Sequence, residues 1–467
     1  MRASAGAAVI GCVLLAVLSI FLLPSTPSYD PWAWIVWGRE IVTAHFAFAT
    51  SGGPSWKPLP VVFTTIFGSL GGAAPKLWLI AARAGGLLAL VGAYRLGARL
   101  AGALAGGLAV IALILTQETV GSVTQNWVHY LFRGASEPML VACVLWAIDR
   151  HLGGKRAGAF VLGVATALIR PEAWPFLGLY AVWCWREQPR LRPLLAGGLA
   201  VIALLWFLPP WISAGQPLAA STQAQDYNGQ LGGDPALETL RRAAELTLAP
   251  VLLAALAAAL LAWRARDRLT LALSAAALAW VALVVVMAVA GYPGLGRFMF
   301  PAAAVICGLA GAGVVRVAML AGKGVRFWAV AALAVAATAP FAVGRVRGAV
   351  AEKHQADLAA SITSQLDAAV RAAGGRHRVL PCRASLAAVN HTMQTELAWT
   401  LSAPLSRVKT SIRSPALDFL GPHLASIDGA PAPVRLAPHA TELVARAGVW
   451  QVLRVTRPGG ASPCVGG

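Results

Sequence analysis

Long unbroken apolar runs, not alternating patterns, organise this chain. Eleven of them lie at 8–23, 77–97, 101–116, 138–148, 158–169, 173–185, 194–212, 246–263, 269–290, 299–320 and 327–343. A helix needs about 20 apolar residues to cross a hydrocarbon core, so the pattern predicts a polytopic α-helical membrane protein with about 11 spans, several of them short. The polar spacers alternate in character. Five short spacers carry Arg95 and Arg99; Arg150, Lys155 and Arg156; Arg186, Arg190 and Arg192; Arg264, Arg266 and Arg268; and Arg316, Lys323 and Arg326. Basic residues accumulate in cytoplasmic loops, so the N-terminus with Arg2 is expected in the cytoplasm and everything after Val343 outside the plasma membrane. The first run could be read as a secretory signal. Leu23-Pro24-Ser25-Thr26-Pro27 has no small-x-small cleavage site, which predicts an uncleaved helix.

After Val343 the apolar runs stop. Residues 345–467 carry 14 Lys and Arg with 7 Asp and Glu, which predicts a small extracytoplasmic domain following a membrane domain at 1–344. Helices are expected at 353–373 and 395–405 and a strand at 449–455, a mixture that fits a compact α/β unit. Composition narrows the function classes. With 58% hydrophobic and 12% charged residues and a mean hydropathy of +0.68, neither a single soluble core nor a disordered chain fits. The net charge of +19 is spread thinly over loops, which argues against nucleic-acid binding. No CxxC, HExxH or nucleotide loop occurs, and His377, His391, His423 and His439 are scattered as surface residues would be. Cys12, Cys143, Cys184 and Cys307 fall within apolar runs. Cys382 and Cys464 both lie outside and are candidates for a disulfide; closing that loop contributes roughly 4 kcal/mol in the chain-entropy model.

The candidate chemistry sits in the outer connections. Ser28-Tyr29-Asp30-Pro31 opens a segment in which Trp34, Trp37 and Ile41 recur at helical spacing, predicting a short amphipathic helix in the membrane interface with Asp30 as its N-cap. Gly52-Gly53-Pro54-Ser55-Trp56-Lys57-Pro58 places a lysine among aromatics. Arg133-Gly134-Ala135-Ser136-Glu137-Pro138, Arg170-Pro171-Glu172-Ala173-Trp174 and Gly291-Tyr292-Pro293-Gly294-Leu295-Gly296-Arg297-Phe298 each put an arginine on the face that should be poor in them. Individually, such arginines act as snorkelling anchors, Lys57 belongs to an aromatic belt, and Asp30 caps a helix. Together, one carboxylate, one lysine and three arginines on one face suit an anionic lipid headgroup and a reaction that needs a base.

These residues resemble a family. The acidic residue just after the first span, the many spans and the outward C-terminal domain look like the GT-C superfamily, integral membrane glycosyltransferases that take sugars from polyprenyl-phosphate donors. Gly134-Ala135-Ser136-Glu137-Pro138 and Leu168-Ile169-Arg170-Pro171-Glu172-Ala173 are similar to paired signatures of bacterial arabinofuranosyl- and mannosyltransferases, and Gly296-Arg297-Phe298-Met299-Phe300-Pro301 to their later Arg-aromatic-x-x-Pro element. The resemblance covers about the first 345 residues. Many relatives carry two adjacent acids in the first loop, whereas Tyr29-Asp30-Pro31 has one, so a divalent metal held by an acidic pair is not implied.

Sugar transfer from a lipid phosphate needs no acid for the leaving group but does need a base for the acceptor hydroxyl. Asp30 is the candidate base, and Lys57, Arg133, Arg170 and Arg297 are candidate phosphate contacts. Glu137 and Glu172 either orient the arginines and bind sugar hydroxyls, or pair with Arg133 and Arg170 to neutralise the interface. Displacement with one base would invert the anomeric centre. The expected partners are membrane lipids, a polyprenyl-phosphate sugar as donor substrate, and a glycan, glycolipid or protein acceptor. The rival is a lipid or small-molecule transporter, which would place its charges near the membrane midplane and show repeated halves.

Overall fold

Helices occupy all eleven apolar runs in the computed structural model, which describes residues 5–47, 53–120, 123–226, 233–382, 385–412, 416–421, 434–435 and 440–456. Helices α1 (Ala5–Leu22), α2 (Tyr29–Val42), α3 (Pro58–Gly68), α4 (Ala74–Ala101) and α5 (Ala103–Ile114) lead to an antiparallel hairpin of β1 (Gln117–Val120) and β2 (Val123–Asn126). Then come α6 (Trp127–Phe132), α7 (Glu137–Leu152), α8 (Arg156–Ala167), α9 (Trp174–Glu187) and α10 (Arg192–Ala214). The bundle is completed by α11 (Ala219–Asp226), α12 (Pro235–Leu246), α13 (Ala249–Ala265), α14 (Arg268–Val289), α15 (Phe300–Leu320) and α16 (Val325–Ala372). Among the described residues, six helices are long and apolar enough to cross a membrane: α1, α4, α10, α14, α15 and α16. Counting α12 and α13, bent by 92°, as one broken span gives seven. The helices α5, α7, α8 and α9 fall short of a full span at 12, 16, 12 and 14 residues. Gly102 at φ +87 and Pro171 mark where such runs are cut.

The α15 helix runs through the middle of the bundle. Its small residues let neighbouring backbones touch it: a Cβ on Gly311 would lie 2.2 Å from the Ala105 carbonyl oxygen, and one on Gly313 1.9 Å from that of Ala254. Small-residue faces are how membrane helices pack closely where lipid supplies no hydrophobic drive between them.

The 48-residue α16 continues without a break past position 344, where the composition changes, so the expected domain boundary falls inside one helix. Arg345 anchors it, donating from Nη1 to the carbonyls of Leu115 (2.7 Å) and Leu246 (2.9 Å) and from Nη2 to that of Glu245 (2.7 Å). One guanidinium thus serves helix-end carbonyls of both α5 and α12. The far half of α16 lies against the tail, where the buried Trp450 indole donates to the Ile362 carbonyl.

The tail contains α17 (Gly375–Val379), α18 (Gln394–Thr400) and a five-stranded mixed sheet of β3 (Leu386–Val389), β4 (Val408–Lys409), β6 (Ala416–Leu420), β8 (Ala440–Ala447) and β9 (Trp450–Thr456) in the order β4-β3-β6-β9-β8. A separate parallel pair joins β5 (Ser411–Ile412) to β7 (Val434–Arg435). The expected helix at 353–373 is the end of α16, that at 395–405 is α18, ending at Thr400, and the expected strand is β9. Cys464, His423 and His439 lie outside the described residues. His377 is exposed, but His391 is half-buried with its ring 4.4 Å from that of Tyr29.

The α2 helix corrects the picture of a surface amphipathic helix. Trp34 and Trp37 are fully buried, because α3, Trp56 and Trp78 close over them. Asp30 is not the N-cap; Ser28 occupies that position and Asp30 lies in the first turn. The other end of α2 docks onto the tail. Arg39 donates to the carbonyls of Trp399, Ala398 and Ala403, and Glu40 accepts the Leu405 and Ala47 N–H groups. Burial pushes the Glu40 carboxyl up, against the pull of those two N–H donors.

Candidate active site

Consecutive antiparallel helices return to the same end of the bundle at every second connection, and the outer segments singled out by sequence all lie at that end. Asp30 and Trp34 are one turn apart on α2 and hold Ser55 between them. The Ser55 N–H and hydroxyl donate to Asp30 Oδ1 (3.1 Å) and Oδ2 (2.6 Å), while the Trp34 indole donates to the Ser55 carbonyl (2.9 Å). Two residues on, this fixes Lys57, whose Nζ lies 5.2 Å from the centre of the Trp34 ring. Asp30 itself remains half-buried.

Lys57 is buried. Its Nζ donates to Ser136 Oγ (2.7 Å) and Glu137 Oε1 (3.0 Å). Arg170, in the turn between α8 and α9, donates to the same Glu137 oxygen at 2.7 Å and lies 3.8 Å from Glu172 Oε1. Glu137 is the first residue of α7, and Pro138 behind it costs the helix no hydrogen bond at that position. One carboxylate therefore fixes two cations drawn from sequence segments far apart. Burial pushes the Lys57 ammonium down to about 8, opposed by Glu137.

Arg297 completes the group. Phe298 stacks under Arg170, with the guanidinium carbon 4.0 Å from the ring centre, which brings the 296–298 turn beside the 170–172 turn. The Glu118, Glu137 and Asp30 carboxylates all act electrostatically on Arg297. Among the described residues its guanidinium makes no hydrogen bond or ion pair, and its Nε is buried without a partner. Glu172 Oε2 is likewise buried without a hydrogen bond.

Arg133 stands apart. It is buried and donates to the Thr26 carbonyl at 3.2 Å, while its own carbonyl accepts the Ser28 N–H at 2.9 Å. It ties the α1–α2 connection to the turn before α7. Glu137 pairs with Lys57 and Arg170, so the expected Glu137–Arg133 neutralisation is replaced by a pairing across the site. Sequence reasoning missed four contributors: Ser55, Ser136, Glu118 and Tyr130. Glu118 on β1 accepts the Tyr130 hydroxyl and, at 2.7 Å, the Arg297 N–H. Burial and the Glu118 charge push the Tyr130 hydroxyl well above its usual range, which keeps it a donor. No group of three or more His, Cys, Asp or Glu able to hold a metal occurs among the described residues.

No family model matches the chain, and no curated protein matches it in sequence. Solved structures do. ArnT from Cupriavidus metallidurans bound to undecaprenyl phosphate superposes with a TM-score of 0.55 at 13% identity, covering 96% of this chain and 98% of that one. The apo state of the same protein gives 0.54 at 15% identity, covering 95% and 97%. At such identities the likeness is one of fold, carried over nearly the whole of both chains. The chain therefore shares the fold of those ArnT structures: a multi-pass α-helical membrane bundle with a small C-terminal domain that contains a β-sheet.

Proposed function

We propose that this chain is a membrane glycosyltransferase that moves a sugar from a polyprenyl-phosphate donor to an envelope glycan, glycolipid or protein acceptor, with inversion. The orientation that suits this role puts the N-terminus in the cytoplasm and the site and the 345–467 tail outside, an oxidising compartment that suits a Cys382–Cys464 disulfide. Asp30 takes the proton of the acceptor hydroxyl as its oxygen bonds to the anomeric carbon. The bond from that carbon to the phosphate oxygen breaks, and the lipid phosphate leaves with the electron pair. Lys57, Arg170 and Arg297 stabilise the charge that grows on it.

The observation that carries this reading is Arg297. An arginine side chain that has no ion pair among the described residues, among the charges of Asp30, Glu118 and Glu137 and beside two cations already fixed by Glu137, is a prepared place for one anionic group. The ArnT structure that shares this fold holds a lipid phosphate, undecaprenyl phosphate. The cluster gathers at helix ends instead of the midplane, which favours chemistry on a headgroup over transport. Mass analysis of envelope glycans and lipids from a strain lacking the gene tests the proposal. Loss of one sugar with accumulation of its polyprenyl-phosphate carrier is expected; an unchanged glycan and glycolipid profile would count against it.

A further inference from the structure

The turn that carries Arg297 is held from three sides. The Arg242 guanidinium on α12 donates to the Gly294 carbonyl at 3.3 Å, and the Trp280 indole on α14 donates to the Phe298 carbonyl at 2.9 Å. The third hold comes from Glu118 on the β1–β2 hairpin, whose Oε2 accepts the Arg297 N–H at 2.7 Å. The approach is tight. A Cβ on Gly296 would stand 3.0 Å from both the Cβ and Oε2 of Glu118, so a glycine is what lets the carboxylate reach the backbone at this point.

Both Glu118 oxygens are engaged, and neither with a guanidinium. Oε1 takes the Tyr130 hydroxyl, and Oε2 takes the backbone. Glu118 is buried at 4% exposure, so its charge needs partners, and it finds them in two N–H or O–H donors. A carboxylate this close to an arginine ordinarily forms a bidentate pair with it. Here the carboxylate grips the main chain of that arginine, and among the described residues the guanidinium has no hydrogen bond or ion pair.

We infer that Glu118 is a positioning residue for Arg297: by binding the Arg297 backbone and the Tyr130 hydroxyl at once, it fixes the turn so that the guanidinium stays open to the phosphate of the lipid. This rests on the proposed function. Tyr130 gains a role with it, since its ring packs edge-on against Phe300, 5.2 Å between centres, and keeps the Glu118 carboxylate from rotating toward the guanidinium. Strand β1, through Glu118, thus belongs to the site although Glu118 does not need to touch substrate.

The test is a double-mutant cycle on lipid-phosphate binding, measured with undecaprenyl phosphate as probe and purified protein in lipid nanodiscs. Glu118→Gln presents an amide donor to one of two donors, so it should weaken binding by about tenfold. In an Arg297→Ala background the same change should cost almost nothing, because a residue that acts through Arg297 has nothing left to act on. Gly296→Ala, which displaces the turn while leaving the Glu118 carboxylate intact, should show the same coupling and serves if Glu118→Gln does not fold. Equal losses in the presence and absence of Arg297, for either variant, would overturn the inference alone and leave the function reading standing. Wild-type protein that fails to bind the lipid phosphate would overturn both.

Discussion

Ser55 holds both carboxylate oxygens of Asp30, one through its backbone N–H and the other through its hydroxyl. A carboxylate held at two points cannot rotate freely, and its remaining lone pairs are aimed in fixed directions. The Trp34 indole, bonded to the Ser55 carbonyl, secures the turn from the opposite side. Removing the hydroxyl alone leaves the backbone contact in place. Ser55→Ala should therefore lower kcat by about tenfold with little change in the donor KM, the cost of one hydrogen bond to a charged group. An equal rise in KM would show that Ser55 serves binding instead of base orientation.

Lys57 predicts a pH dependence. Its ammonium is pushed down to about 8 by burial, so it is charged below that pH and loses its proton as pH rises through it. Donor binding that uses this charge should weaken above pH 8. A guanidinium stays protonated throughout that range, so Lys57→Arg, if it accepts donor, should show a flat donor KM from pH 7 to 10. The same upward bend in both proteins would assign the titration to another group.

Among the described residues, Glu137 is the one ion-pair partner that Lys57 and Arg170 share, and all three are buried. Removing it strands two cations away from water. Breaking a buried pair from one side costs about 3–5 kcal/mol, so Glu137→Ala should lower the thermal unfolding midpoint of the detergent-purified protein substantially. Glu172→Ala should lower it less, since Glu172 touches Arg170 only at 3.8 Å. Equal, small shifts for both would remove Glu137 from its place at the centre of the site.

Arg39 joins the membrane domain to the tail through three carbonyls at and just after the end of α18. Hydrogen bonds from a charged donor contribute about 1.5–3 kcal/mol. Arg39→Ala should loosen the tail before the bundle, read as faster limited proteolysis between residues 375 and 456 at unchanged protection of the membrane helices. Wild-type cleavage kinetics would show that the rest of the α2–α18 contact suffices.

How much of this was legible in the sequence depends on the range of the interaction. Asp30 and Lys57 lie in the connection after the first apolar run, and Glu137, Arg170 and Arg297 adjoin the ends of later runs; antiparallel helices bring alternate connections together, so their gathering could be read from the pattern of runs. Partner choice could not. Arg133 carries the same signal, yet it bonds the Thr26 carbonyl because of how the α1–α2 connection folds over it. Glu118 was overlooked in the polar stretch Gln117-Glu118-Thr119, although a carboxylate just past an apolar run on the arginine-bearing side was the available clue. Trp34 and Trp37 mimic an interfacial face because helical spacing records a stripe but not what covers it; Trp56 and Trp78 do so from elsewhere in the chain. The composition changes near Val343, but nothing in the backbone there ends α16.

The most direct test of the account is sugar transfer itself. Wild-type and Asp30→Asn protein, both purified and reconstituted in lipid, would be given polyprenyl-phosphate sugars labelled and extracted from native membranes together with envelope acceptor. Asparagine matches aspartate in shape and still accepts one of the two Ser55 hydrogen bonds at its amide oxygen, but it cannot take a proton at working pH. The account predicts label transfer with release of free polyprenyl phosphate by the wild type, and a rate lower by about 10²–10⁴ for Asp30→Asn at similar donor binding. Transfer by Asp30→Asn at near the wild-type rate would contradict it.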